Sequence, residues 1–176
     1  MAKTPPRYDL PNAAPEPLRL VQSFVNTTNL ENGDDWLASW LTEHGVKPRG
    51  QSLARARDVR EAVRELLYAN NGQVVTGDPH RLVSDAAAEG RLTIDFASGS
   101  LVPRAPGLAG VLGRVVAMAF TAMADGSWGR LKACRNHHCR WAFYDYSKNR
   151  SASWCSMQLC GNRTKTRAYR ARHTRA

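Results

Sequence analysis

Residues 131–163 read LKACRNHHCRWAFYDYSKNRSASWCSMQLCGNR and hold every cysteine of the 176-residue chain. The cysteines form two matched pairs, Cys134-x4-Cys139 and Cys155-x4-Cys160, with fifteen residues between them. Thiolate and imidazole are the side chains that bind Zn²⁺ best, and four sulfurs at about 2.3 Å complete a tetrahedron. The pattern predicts one metal site with Cys134, Cys139, Cys155 and Cys160 as ligands. A complete sphere leaves no position for water or substrate, so the ion is expected to be structural rather than catalytic.

A turn supplying one pair and the start of a helix supplying the other would give a treble-clef-like finger, although the x4 loops are longer than the usual x2. Two disulfides would also use four cysteines. Against them, the first thirty residues contain no apolar run of about 7 to 15 residues after a basic start, and proline interrupts them five times. The expected compartment is the cytoplasm, where thiols stay reduced. His137 and His138 lie inside the first loop and are alternative ligands, with an exposed polar tip as their simpler role.

The net charge of +10 divides unevenly. From Gly126 to Ala176 there are twelve Lys and Arg against one acid, Asp145, whereas Met1 to Asp125 carry thirteen basic and fourteen acidic residues. Positive charge this concentrated repels itself and points to a polyanionic partner. If Asn162 to Arg172 is helical, Arg163, Arg167 and Arg170 share one face, with Lys165 and Arg172 on the next. Guanidinium forks fit phosphate oxygens and the edge of guanine. Arg135, and a polar turn of Lys148, Asn149 and Arg150, are further candidate phosphate contacts. A solvated basic tail or a lipid-facing one are the bland alternatives, but the stripe lacks the broad apolar face that a membrane-lying helix needs. Trp141, Phe143 and Trp154 read better as the cover of a small metal core than as a stacking platform.

Upstream, the spacing predicts a mainly α domain with a small β-hairpin. Leu18, Val21, Phe24 and Val25 mark one helix; Trp36, Leu37, Trp40 and Leu41 mark a second over Asp34–His44; Ala56, Val59, Val63, Leu66 and Leu67 mark a third, from Leu53 to about Asn70 with Ser52 as cap. A shorter helix over Asp78–Glu89 leads into alternating Leu92, Ile94 and Phe96, then Gly99 and Leu101-Val102, which is a hairpin pattern. Leu108 to Ala124 is apolar on nearly every side, and with Gly110 and Gly113 it is read as a buried central helix rather than a membrane span. Residues 1–17, rich in proline, are expected to be disordered, with the helical domain over 18–126 and the finger over 127–176. Asp34-Asp35 and Asp58/Glu61 are paired carboxylates, but they fit a helix start and an ion-paired helix surface. With no phosphate-binding loop, nucleophile elbow or zinc-protease motif, no enzyme is expected.

Cys160-Gly-Asn-Arg163 resembles the signature of the CGNR zinc-finger family of bacterial proteins, and Leu131 to Asp145 reads much like that family's C-terminal finger. Phe24-Val-Asn-Thr27 and Asp34-Asp-Trp-Leu37 are similar to the start of the helical ABATE domain that accompanies it, so the likeness spans nearly everything after residue 18. The family is described as stress-induced transcription regulators. The resemblance implies a zinc held by Cys134, Cys139, Cys155 and Cys160, and DNA bound through the finger. Asn26, Thr27, Trp36 and Trp40 would line a pocket or, the simpler reading, only pack. RNA is an alternative partner, since a basic helix with interleaved aromatics serves either nucleic acid; an acidic protein gripped by the finger is another. The helical domain would sense an effector or build a homodimer.

Overall fold

The computed structural model describes residues 10–163 and 166. In chain order they form α1 (Leu18–Val25), β1 (Thr28–Asn29), β2 (Asp34–Asp35), α2 (Leu37–Glu43), α3 (Gln51–Ala69), α4 (Pro79–Glu89), β3 (Leu92–Asp95), β4 (Ser100–Pro103), α5 (Gly107–Ala124), β5 (Leu131–Ala133) and β6 (Ala142–Tyr144). Consecutive strands pair antiparallel as three separate two-stranded ribbons.

The apolar stripes of α1, α2, α3 and α5 meet in one core. Phe24 and Trp40, both buried, stand 5.2 Å apart between ring centres. Burying side chains of this size contributes about 1.5–3 kcal/mol each. Trp40 also satisfies its indole by donating to Ser23 Oγ at 3.0 Å. The helix α5 is 18 residues long, enough by length and composition to cross a bilayer. Here it is a core helix, burying Val111, Leu112, Val115 and Ala119 against its neighbours while Phe120 and Met123 near its end stay exposed. Its approach to α4 depends on two glycines, because a Cβ on Gly90 would stand 2.8 Å from the Cα of Gly113. No side chain fits there without moving a helix.

Several boundaries differ from the sequence expectation for local reasons. Asp34 and Asp35 pair with Asn29 and Thr28 instead of opening α2. Asp35 still serves that helix, since its Oδ1 accepts from Leu37 N–H at 3.0 Å, as an N-cap oxygen does. Ser52 is not a cap: α3 starts at Gln51, and Ser52 Oγ bonds back to the carbonyl of Arg49. Asp78 does cap α4, accepting from Arg81 N–H at 3.1 Å.

The expectation of disorder over residues 1–17 fails for its described part. Residues 10–17 form a strap that crosses onto the finger: Tyr144 N–H donates to Asn12 O at 2.9 Å and Trp141 Nε1 donates to Leu10 O at 2.6 Å. Gln22, buried on α1, fixes the strap from the other side by accepting from Ala14 N–H and donating to Asn12 O. Proline spacing alone did not reveal partners more than a hundred residues away.

Candidate metal centre

The finger is built on the β5–β6 ribbon, in which Leu131 faces Tyr144, Lys132 faces Phe143 and Ala133 faces Ala142. Strand alternation sends its two faces to different cores. Leu131, Ala133, Ala142 and Tyr144 join the core of the helical domain, whereas Phe143 joins the cysteines. The ribbon therefore serves as the wall between two cores.

Between the strands, the chain turns sharply at Asn136, whose carbonyl accepts both Cys139 and Arg140 N–H at 2.9 Å. Arg140 completes the turn with a positive φ of 46°. This brings Cys134 and Cys139 together. The second pair brackets the next helical turn: Ser156 caps it by accepting from Leu159 N–H at 3.3 Å, and Cys160 follows in a π-turn over Met157–Gly161. The turn-plus-helix-start geometry expected of the finger is thus observed. Its continuation from Asn162 is helical where described, while Lys165, Arg167, Arg170 and Arg172 lie outside the described residues.

The four sulfurs lie within 4.8 Å of one another. Cys139 to Cys155 and Cys155 to Cys160 are each 3.7 Å. Sulfurs at about 2.3 Å from a common centre stand about 3.8 Å apart, so the donor set fits one tetrahedral zinc ion. The electrostatics agree. Hydrogen bonds from Cys139 and Cys155 pull the Cys134 thiol down to about 2, and those same contacts with Cys134 push Cys139 and Cys155 up. Burial, then the Cys134 charge, raises Cys160. Thiolates this close repel one another, and a divalent ion among them offsets that repulsion by holding each as thiolate. Outside the ligands, Asn136 Nδ2 donates to Cys160 Sγ at 3.7 Å. Phe143, Trp141 and Trp154 cover the site, as the sequence implied. His137 and His138 are exposed, with ring centres 3.9 Å apart, and take no part in the cluster.

A second polar centre in the finger escaped the sequence reading. Asp145, 1% exposed, accepts from Lys132 Nζ at 2.7 Å, from Ser147 Oγ at 2.6 Å and from Ala152 N–H at 3.0 Å. Lys132 also donates to the carbonyls of Arg150 and Ala152. The one acid of the basic segment is therefore the pin that shapes the turn leading to Cys155. Burial would raise its carboxyl, but the hydrogen bonds from Lys132 and Ser147 hold it below the usual carboxylate range.

The candidate polyanion contacts divide. Lys148 and Arg150 stand exposed on the turn after β6, and Asn162 is exposed at the helix start. Arg135 is exposed but donates to Asn71 O at 3.2 Å, beyond the end of α3. Arg163 pairs with Glu31 at 2.8 Å on the β1–β2 turn. Three more finger cations serve the fold: Arg130 holds the carbonyls of Asp145 and Ser147, Lys132 holds Asp145, and Arg140 pairs with Glu65 at 2.6 Å over the ring of Tyr68.

Docking of the finger on the helical domain is polar at its centre. Asn26 exchanges two hydrogen bonds with Ala142, Asn71 donates to the carbonyls of Ala133 and Ser153, and Asn70 to those of Trp128 and Leu131. Arg64, fully buried, donates to the carbonyls of Val25 and Arg140 and pairs with Glu61. Asn26 and Thr27 are packing residues, as the simpler reading had it; Thr27 bonds Phe24 O and accepts from Arg60. The sequence signal for this interface is faint: polar Gln22 on an otherwise apolar face of α1, and Asn26 just past its end.

Comparison with known families agrees with this architecture. A model of the CGNR zinc finger matches residues 130–173. The model of the ABATE domain, described as "Putative stress-induced transcription regulator", matches residues 18–126. No curated protein matches the chain significantly. With the helical model spanning well over half of the chain and the finger model following it, the protein belongs to the ABATE family and carries a CGNR zinc finger.

Proposed function

We propose that this zinc-binding regulator acts by binding duplex DNA through the finger, with the helical domain sensing or dimerising. The observation that carries the reading is the placement of charge: twelve Lys and Arg fall in the last fifty-one residues against one acid, and that acid is buried on Lys132. With Asp145 neutralised internally, the surface of the finger is cationic, and Lys148, Arg150 and Arg135 are positioned on a module whose backbone the zinc fixes. Arg163, Lys165, Arg167, Arg170 and Arg172 extend this charge along the following segment. Phosphate contacts of this kind supply most of non-specific DNA affinity.

RNA is the second reading. Stacking would favour it, and Tyr146, 65% exposed beside Lys148, is the aromatic of the interleaved stretch best placed for that role. Trp141, Phe143, Tyr144 and Trp154 are packed, which weighs towards a duplex.

The test is a competition measurement at low salt, with labelled duplex DNA bound to the zinc-loaded protein and displaced by structured RNA or unlabelled duplex. Preferential displacement by duplex supports the proposal. Displacement by RNA alone moves the assignment to RNA, and the lack of any polynucleotide affinity moves it to an acidic protein partner.

A further inference from the structure

Beside the metal centre lies a cleft of about 430 Å³, formed where the strap, the β1–β2 turn and the finger meet. Besides the metal-site cysteines Cys139, Cys155 and Cys160, its lining includes the apolar Leu10, Pro11, Trp141 and Leu159 and one acid and one base, Glu31 and Arg163. Small-molecule sites have this form: about 300–1,000 Å³, mostly apolar, with a few convergent polar groups. Leu10 and Leu159 remain 42% and 58% exposed, an uncovered apolar surface that the chain's described residues leave open.

We infer that this cleft binds an apolar α-amino acid, with its carboxylate on Arg163, its ammonium on Glu31 and its side chain between Leu10, Trp141 and Leu159. The chemistry is one of charge complementarity. Glu31 and Arg163 meet each other at 2.8 Å with side chains 36% and 52% exposed, and an ion pair so open to water contributes little to stability. A ligand carrying both charges replaces that one pair by two, each partly desolvated by the ligand's own apolar body. A guanidinium accepts a carboxylate in bidentate form, which fixes orientation as well as charge. A compound with only a carboxylate would leave Glu31 without its cation, and one with only an ammonium would leave Arg163 without its anion. The site thus selects for the zwitterion, and its walls for leucine- or phenylalanine-like side chains over glycine. On the reading of Arg163 as a phosphate contact, the ligand and DNA would compete for the same guanidinium; amino-acid binding itself does not depend on that reading.

The experiment is calorimetric titration of the full-length, zinc-loaded protein, without nucleic acid, with L-phenylalanine, L-leucine, glycine, 3-phenylpropionate and phenethylamine. Phenylalanine or leucine should bind saturably, and glycine and both one-charge analogues about tenfold or more weakly. Glu31→Gln lies on an exposed turn and should keep its zinc and helix content, while weakening phenylalanine and erasing its advantage over 3-phenylpropionate. Leu159→Ala should weaken phenylalanine without altering glycine. No saturable binding up to about 10 mM, equal affinity for glycine and phenylalanine, or an unchanged isotherm for Glu31→Gln would each overturn the assignment. Binding that appears only after residues 1–9 are deleted would give the cleft to the chain's own N-terminus and overturn it as well.

Discussion

The side-chain amide of Asn26 pairs with both backbone groups of Ala142, donating to its carbonyl at 2.9 Å and accepting from its N–H at 2.7 Å. The residue that ends α1 thus completes the edge of β6, 116 positions later in the chain, as a third strand would. Both groups are buried; the carbonyl keeps a second donor in Gln22 Nε2 at 3.2 Å, whereas the N–H relies on the Asn26 amide.

Replacing that amide tests the relationship. Asn26→Ala should destabilise the protein by about 1–3 kcal/mol, because the buried Ala142 N–H loses its acceptor while the carbonyl keeps Gln22. Urea unfolding of the full chain measures it. Asn26→Asp retains the acceptor but puts a carboxylate against a carbonyl oxygen, and should be no better.

Metal removal should reach beyond the finger. Structural zinc sites carry about 10–16 kcal/mol of apparent binding free energy at neutral pH. Because Leu131, Ala133, Ala142 and Tyr144 belong to the same core as Phe24 and Leu67, Cys155→Ala or chelation should lower the melting temperature of α1 and α3 as well. Calorimetry should show one transition with zinc and a lower one without it. A helical domain that melts unchanged after chelation would contradict the shared core.

The acid-base behaviour of Asp35 makes a third case. Burial would raise its carboxyl, but the hydrogen bonds from Arg60 and from Leu37 N–H, with Arg57 beside them, hold it below the ordinary value. A depressed carboxyl stabilises the fold above about pH 3.9, its unfolded value, and that contribution disappears as pH falls through the lower folded value. Asp35→Asn should therefore cost about 2 kcal/mol from about pH 7 to about pH 5, with the gap to the parent closing below about pH 4. A gap that widens in acid would mean that Asp35 is not the group responsible.

For the proposed DNA contact, the salt dependence is diagnostic. Lys148→Gln with Arg150→Gln should reduce the slope of log K against log salt by about 1.8, at about 0.9 per phosphate contact. Arg130→Gln should instead weaken the fold, since its guanidinium holds the carbonyls of Asp145 and Ser147. An unaltered slope in the double variant would move the contact away from that turn.

Much of this was legible in sequence where the determinants are local. The third helix follows from Val59, Val63, Leu66 and Leu67 at helical spacing, the β3–β4 ribbon from alternation around Gly99, and the metal site from two cysteine pairs. What was missed connects distant segments through polar groups. Nothing in the order of Asn12, Gln22 and Asn26 announces that all three are engaged with the finger or the strap, because hydrogen bonding to backbone carries no periodicity. The count of basic residues also overstates how many are free to meet a partner: Arg130, Lys132, Arg140 and Arg163 are occupied by carbonyls or acids within the protein.

The double-faced ribbon β5–β6 has a practical corollary for anyone wishing to borrow the finger. Severed near residue 127 and grafted onto another protein, it would carry Leu131 and Tyr144 as a naked oily flank and would clump or seek a surrogate host. In the intact molecule the same anchoring ties the four-cysteine site to α1 and α3, so a reshaping of either helix should be felt at the sulfurs.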